Sequence, residues 1–137
     1  MEYTVNESIR YFDDFLIYFA VAILLLVAFT IIYIKVTPYK ELDLIRAGNT
    51  AAAISLSGAM IGFALPLASA VANSVNLIDL CLFAVLATVV QLVAFVFARM
   101  LMPGLSDDIP AGHVAKATFL AAISVAVGLL NAAALVY

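Results

Sequence analysis

Charge is what this 137-residue sequence has least of, since 11% of its residues are charged and 67% are hydrophobic. A water-soluble domain of this length needs far more charge to keep its surface hydrated. The composition therefore predicts a membrane protein, with the lipid bilayer as its surroundings. Lys and Arg together number only 6 and the formal net charge is -3. Because nucleic-acid binding needs a basic patch, nucleic acid is excluded as a partner.

Cysteine and histidine each occur once, as Cys81 and His113. A single cysteine excludes an internal disulfide and a cysteine-built metal centre. The sequence also lacks the HExxH, GxSxG and phosphate-loop motifs, and its long apolar stretches contain no carboxylate. Cys81 has no basic neighbour that would favour its thiolate. These absences predict a protein that is not an enzyme, with no catalytic residue, no cofactor and no metal site.

Four uncharged stretches are each long enough to cross a membrane once. A hydrocarbon core of about 30 Å needs about 20 apolar residues in a helix, and only helices or closed barrels satisfy the backbone there. The stretches are residues 15–34, 47–78, 80–98 and 117–137, and the second ends in turn-forming residues around Asn73. The sequence therefore predicts an all-α membrane protein with four transmembrane helices.

Basic residues are concentrated beside two of the connections between these helices. Five of the six are Lys35, Lys40, Arg46, Arg99 and Lys116, which flank the connections after the first and third stretches. Arg10 lies on the opposite side. Because Lys and Arg accumulate in cytoplasmic connections, this bias predicts that both longer connections are cytoplasmic and both termini periplasmic.

The two halves of the sequence resemble each other. Asp14, Pro38 and Ala47-Gly48 recur as Asp79, Pro103 and Ala111-Gly112. Each half contains two helices, so both halves would enter the membrane in the same direction, which predicts a parallel two-plus-two internal repeat. The predicted organisation is a periplasmic N-terminal segment (1–14), a first two-helix repeat (15–72), a short periplasmic link (73–79) and a second two-helix repeat (80–137).

Several short motifs carry a resemblance to a known family. They are Thr37-Pro38, Asn49-Thr50-Ala51-Ala52, Ser57-Gly58, Gly62, Pro66-Leu67, Gln91-Leu92, Arg99, Met102-Pro103, Leu105-Ser106 and Asn131-Ala132-Ala133. In order and spacing, nearly the whole chain resembles the bacterial inner-membrane proteins of the YjfL type, built from two copies of domain of unknown function 350. The resemblance implies a multi-pass inner-membrane protein and no established activity. In that family Asn-Thr-Ala-Ala opens both even helices, whereas the second copy here is His113-Val114-Ala115-Lys116.

The second predicted helix carries Gly58 and Gly62 in a GxxxG motif, and the repeat aligns them with Ala122 and Ala126 of the fourth. In lipid, small residues let helix backbones approach closely, which supplies much of the attraction between helices. The motif predicts helix packing, either within one bundle or between subunits. Pro66 is predicted to kink the same helix and to free a carbonyl near Gly62 that needs another donor.

Polar side chains inside the predicted helices are the default functional candidates. Gln91 in the third helix and Asn131 in the fourth align with Leu26 and Leu67 of the first repeat, so neither amide belongs to the duplicated pattern. Each amide either makes an interhelical hydrogen bond, worth about 0.6 to 2 kcal/mol, or lines a narrow polar path.

A second candidate group lies at the predicted cytoplasmic side, where His113 and Lys116 replace Asn49 and Ala52 of the first repeat. Lys116 either extends its ammonium group to the membrane surface or faces an anionic partner, with His113 titrating nearby. The anionic partners considered are Asp107, Asp108 and a lipid headgroup.

Two classes of function are compatible with these features. The first is a non-catalytic oligomeric subunit or scaffold, whose partner is a second copy or another membrane protein. The second is a small passive channel or permease for an ion or small solute. Four helices are few for a transport pathway, and no charged residue lies at mid-membrane to couple an ion, which favours the first class.

Overall fold

The computed structural model describes residues 2–135, with side chains from Thr4 onward, and all regular structure in that range is helical. The helices are α1 (Glu2–Val36), α2 (Glu41–Arg46), α3 (Thr50–Asn73), α4 (Leu77–Leu101), α5 (Leu105–Asp108) and α6 (Val114–Ala134). The helices α1, α3, α4 and α6 are each long and apolar enough to cross a membrane. The predicted all-α class with four spans is therefore confirmed. The end of the bundle with residues 37–49 and 102–113 is called the loop end, and the end with residues 74–76 the link end.

The first helix begins far earlier than the uncharged stretch that predicted it. It starts at Glu2 instead of residue 15 and has 35 residues. At 1.5 Å per residue this is about 52 Å, well over the roughly 30 Å of a hydrocarbon core. The segment 1–14, predicted to precede the first span, therefore continues that helix over its described residues.

The other helix ends also differ from the limits of the uncharged stretches. The Asn76 side chain accepts a hydrogen bond from the Asp79 backbone N–H at 2.9 Å, so α4 begins at Leu77 and the link shrinks from 73–79 to 74–76. Similarly, α6 begins at Val114 instead of residue 117, and residues 136–137 of the predicted second repeat lie outside the described range. Charge shows which residues can enter lipid, whereas a capping side chain such as that of Asn76 can begin a helix among polar residues.

The two loop-end connections share one backbone geometry, although they differ in sequence. In each connection a short helix ends at a glycine with positive φ, Gly48 at 89° and Gly112 at 86°. The Gly48 N–H donates to Ile45 at 3.0 Å and the Asn49 N–H to Leu44 at 2.8 Å, with matching bonds around Gly112. This is the Schellman helix ending, in which glycine avoids the strain that a Cβ would suffer in the left-handed region. The internal repeat itself stays a prediction.

The bundle is organised around α3, which packs along α6 and also contacts α4 and α1. The α3–α6 contacts run in register, from Asn49 against Pro110 at the loop end to Ser69 against Ala132 near the link end. Two helices that meet in register along their lengths run parallel. By contrast, α1 is peripheral, because only 6% of its most apolar segment is buried. The residues of α1 buried in the core are Phe29 and Tyr33, near its loop end.

Candidate functional site

The closest helix contact in the bundle lies between α3 and α6 and depends on glycine. A Cβ on Gly58 would overlap the Cβ of Ala121, and a Cβ on Gly62 would overlap the backbone carbonyl of Ser124. From the other side, a Cβ on Gly128 would lie 2.7 Å from the Gly62 Cα. The predicted role of Gly58 and Gly62 in helix packing thus has a direct geometric basis within one chain.

The alanines aligned with these glycines occupy a different face. Ala122 and Ala126 are exposed, whereas the buried positions of α6 are Ala117, Leu120, Ser124 and Gly128. Neither alanine therefore packs in this ridge within one chain, and their contact with another subunit stays a prediction. Their exposure follows from helix geometry, because residues four apart share a face and this series is offset by about two residues from the buried one.

The carbonyl freed by Pro66 is found at the same contact. The helix α3 continues through Pro66, whose missing N–H leaves the Gly62 carbonyl without its usual donor. That oxygen lies against Gly128, close enough that a side chain there would collide with it. A weak Cα–H···O contact from a glycine suits this position, since no Cβ stands between the two backbones. Gly128, which was not predicted from the sequence, therefore completes the site around Gly62.

Gln91 joins the third helix to this contact. Its side chain is 1% exposed, and its Nε2 donates to the Ser124 carbonyl at 3.0 Å. A Cβ on Gly62 would lie 2.8 Å from the same Nε2, so the glycine makes room for the amide. The Gln91 Oε1 and the Ser124 Oγ are buried and have no hydrogen-bond partner among the described residues. The amide thus points into protein, as predicted, and is only half satisfied there.

Asn131 lies nearer the link end, and no hydrogen bond among the described residues joins its side chain to Gln91. Its side chain is half-buried, and its Nδ2 is buried without a partner in the described part of the chain. The neighbouring Ala132 carbonyl accepts the Ser69 hydroxyl at 3.0 Å, a second polar contact between α3 and α6. The bilayer core contains no water to hydrogen-bond polar groups, so contacts of this kind satisfy them instead.

Asn49 has a structural task at the loop end. Its Oδ1 accepts from the Ala52 N–H at 2.9 Å, which caps α3. Its Nδ2 donates to the carbonyls of Ile109 at 3.3 Å and Pro110 at 3.0 Å, which ties the two connections together. The side chain has both donor and acceptor groups, so it can serve both connections at once.

Lys116 forms an ion pair with Asp108, one of the anionic partners considered from the sequence. The hydrogen bond from Lys116 is the main cause that lowers the pKa of the Asp108 carboxyl, and His113 adds a smaller effect in the same direction. His113 is exposed at the N-cap position of α6, where its side chain makes no capping bond. Lys116 and His113 therefore both act on Asp108. Asn49 has a different role, because it caps α3.

A buried carboxylate at the loop end is not among the residues predicted from the sequence. Glu41 begins α2 and is 0% exposed, and neither of its carboxylate oxygens has a hydrogen-bond partner among the described residues. Burial raises the pKa of Glu41 to about 7, with the neighbouring Thr37 hydroxyl acting in the opposite direction. A carboxylate between two membrane helices is normally expected at the aqueous surface, and nothing in the sequence pattern marks this one as buried.

Glu41 lies beside two buried tyrosines. The hydroxyls of Tyr33, on α1, and Tyr39 are both buried without a partner in the described part of the chain. Burial, followed by the negative charge of Glu41, raises the pKa of Tyr39, while the Ser55 hydroxyl and the Arg99 guanidinium act to lower it. We call Tyr33, Thr37, Tyr39, Glu41 and Ser55 the Glu41 cluster.

An aromatic layer lies beside this cluster within the bundle. The Phe29 and Phe63 rings stack with centroids 4.3 Å apart, and the Tyr33 ring meets Phe95 edge-on at 5.7 Å. Phe95 lies one helical turn from Gln91 on α4, so both face the same side of that helix. Among these four rings only Tyr33 carries a polar group, so the layer offers little to continue a path from Gln91 to Glu41.

The sequence of this chain matches a known protein family. The family model described as Domain of Unknown Function (DUF350) matches residues 5–135. The chain belongs to the DUF350 family. It is 36% identical over 120 residues to the UPF0719 inner membrane protein YjfL of Escherichia coli strain K12, covering 88% of this chain and 91% of that protein. The protein of the same name from Escherichia coli O157:H7 gives the same values.

Membership of the DUF350 family agrees with the resemblance found in the sequence. A relative named as an inner membrane protein, together with four apolar helices, shows a multi-pass protein of the inner membrane. The family is one of unknown function, and no catalytic activity is assigned to it. No solved structure matches the chain at a significant level.

Proposed function

We propose that this chain is a non-catalytic subunit of a homo-oligomer in the inner membrane, assembled through one face of α6. The observation that carries the proposal is the exposed series Thr118, Ala122 and Ala126, spaced four residues apart. We call these three residues the α6 small face. They line the same side of the helix, and within this chain no α3 glycine packs against Ala122 or Ala126.

The α6 small face differs from the other exposed surfaces of the bundle. The exposed side of α4 carries large apolar side chains, among them Leu82, Val85, Val93 and Phe97, which suit contact with lipid tails. A groove of about 550 Å³ runs beside the α6 small face, between Ser57 and Ile61 of α3 and Ala122 of α6. Since helices in lipid associate by close packing of small residues, this face supports docking of a helix from a second copy.

Leucine in place of Ala122 should therefore shift the protein toward smaller assemblies. The added side chain would keep a partner helix from close approach, at a cost of about 1–3 kcal/mol for each contact. Native mass spectrometry of the protein in mild detergent measures the change in subunit number. The control is Ala28→Leu, an equally large change at an exposed position of α1. Oligomers of unchanged size in Ala122→Leu would show that this face contacts lipid.

The orientation forms part of the same proposal, with both termini periplasmic and both loop-end connections cytoplasmic. Its support is the five-to-one distribution of basic residues. Alkaline phosphatase fused after Tyr137 should be active, because the enzyme folds in the periplasm, and a fusion near Asp43 should be inactive. The reverse pattern of activities would overturn this topology.

A passive channel or permease is the second candidate, and one observation favours it. The Gln91 Oε1, the Ser124 Oγ and the Asn131 Nδ2 are buried polar atoms without a partner among the described residues. In membrane proteins, buried polar atoms without a protein partner occur where water or a solute can reach them. The aromatic layer beside Gln91 argues against a continuous path within one chain.

Substitution of Gln91 or of Asn131 by leucine distinguishes an oligomeric scaffold from a channel. For a structural role, each change should cost about 1 kcal/mol or less and leave flux through reconstituted liposomes unaltered. For a role in conduction, each change should abolish flux while the folded assembly survives in detergent. Flux assays with potassium and with a small neutral solute, run beside empty liposomes, make this measurement. Wild-type protein that passes neither solute contradicts the channel.

A further inference from the structure

The Glu41 cluster contains four buried oxygen atoms without a hydrogen-bond partner in the described part of the chain. They are the two carboxylate oxygens of Glu41 and the hydroxyl oxygens of Tyr33 and Tyr39. Glu41 and Tyr33 are at most 1% exposed and Tyr39 is 6% exposed. They come from the end of α1, from the connection and from the start of α2, so the fold itself brings them together. Burying a carboxylate in this way costs several kcal/mol unless a partner compensates its charge.

The cluster has more hydrogen-bond acceptors than donors. The Thr37 hydroxyl donates to the Ile34 carbonyl at 3.1 Å, and the Ser55 hydroxyl donates to the Ala52 carbonyl at 3.1 Å. Each hydroxyl has one hydrogen, so a Thr37 or Ser55 hydroxyl that donates to its own backbone neighbour offers only oxygen lone pairs to the cluster. The two tyrosine hydroxyls are the remaining donors of the cluster. Such a set of oxygens suits a bound cation better than a closed network of hydrogen bonds.

We propose that the Glu41 cluster binds a single alkali cation, Na⁺ or K⁺, with Glu41 as its charged ligand and Tyr33 and Tyr39 as neutral ligands. The ligand atoms are all oxygen, which hard cations prefer over nitrogen or sulfur. One carboxylate supplies one negative charge, which a monovalent ion balances. No group of three or more His, Cys, Asp or Glu that could hold a metal ion is present in the described residues, which disfavours a polyvalent ion.

The Glu41 cluster adjoins a pocket at the loop end. A pocket of about 350 Å³ opens there, and Thr37 and Tyr39 line both this pocket and the Glu41 cluster. Asp43, Lys40 and Arg46 lie around the pocket, so its rim carries charges of both signs. The pocket therefore reaches Thr37 and Tyr39 of the cluster, and Glu41 lies behind them.

The electrostatics of the cluster agree with this assignment. The pKa of Glu41 is raised to about 7 mainly by burial, which is the behaviour of a carboxylate that lacks a compensating charge. Tyr33 from α1 and Thr37 and Tyr39 from the connection act electrostatically with Glu41, while Ser55 of α3 and Arg99 of α4 act on Tyr39. A bound cation would compete with the proton for Glu41 and would lower the pH at which this carboxyl titrates.

The test is the thermal stability of the purified full-length protein at pH 8, titrated separately with sodium chloride, potassium chloride and choline chloride. Ligand that binds only the folded protein raises the melting temperature with the logarithm of its concentration. We expect this rise with sodium or potassium and none with choline, which is too large for the site. The difference between the sodium and potassium curves identifies the preferred ion. Equal curves for all three salts would mean that Glu41 binds only a proton, and would overturn the proposal.

Three variants assign the effect to the cluster. Glu41→Gln should abolish the salt-specific rise, and Asp107→Asn, at an exposed carboxylate of the loop end outside the pocket, should keep it. Tyr39→Phe removes one ligand without a change of charge, so it should move the rise to higher salt concentration even where Glu41→Gln folds poorly. A salt-specific rise that persists unchanged in both Glu41→Gln and Tyr39→Phe would contradict the site. These outcomes do not depend on the oligomeric state.

Discussion

Leucine in place of Gly62 should leave little folded protein in detergent. The Cβ alone would overlap the Ser124 carbonyl and lie 2.8 Å from the Gln91 Nε2, and neither atom can move easily. The carbonyl belongs to the backbone of α6, and the amide is held by its hydrogen bond to the same carbonyl. The overlap forces α3 and α6 apart and loses Gln91 as well. Overpacking costs about 1–3 kcal/mol where a core can adjust, and more is expected against a backbone.

The measurement is the monodisperse fraction in size-exclusion chromatography, followed by the melting temperature of whatever remains. Gly62→Ala should show a smaller loss in the same direction, because its Cβ already meets the Ser124 carbonyl. The matched control is Ala68→Leu, which introduces leucine at an exposed position of the same helix. A Gly62→Leu protein with the stability of the control would mean that α3 and α6 do not meet at these residues.

This contact shows how far sequence reasoning could go. The GxxxG motif predicted close packing at Gly58 and Gly62, because small residues at that spacing have few other uses in lipid. The partner surface could not be predicted from the repeat. Equivalent residues of two repeated units occupy equivalent places in their own units, and they do not in general face each other. Gly128 could be found only once the α3–α6 crossing was known.

The helix ends and the Glu41 cluster are two further features that could not be predicted from the sequence. Uncharged stretches predicted the four spans because lipid excludes charge, but they placed the start of α1 at residue 15, whereas the helix begins at Glu2. Burial of Glu41 depends on the position that the connection gives to α2 beneath Tyr33 and Tyr39. That position is set by tertiary packing, for which charge patterns carry no information. The charge pattern that located the helices therefore cannot predict that a carboxylate in a connection is buried.

Wild-type protein in choline buffer should lose stability as the pH rises from about 5 to 8. The pKa of Glu41 is raised from 4.5 to about 7 in the folded protein, so folding favours the protonated carboxyl. Its stabilising contribution is therefore complete below pH 4.5, where the unfolded chain is protonated too, and is lost as the pH passes 7. Because one pKa unit corresponds to about 1.4 kcal/mol, the loss is on the order of 3 kcal/mol. Choline keeps alkali cations out of the measurement.

Glu41→Gln should flatten this pH profile and should melt at a higher temperature than wild type at pH 8, since glutamine stays neutral throughout. Asp107→Asn is again the control and should keep the wild-type slope. Asp108 does not interfere, because Lys116 lowers its pKa and its titration falls below the chosen range. A slope that survives in Glu41→Gln would show that Glu41 is hydrated and titrates near its ordinary value.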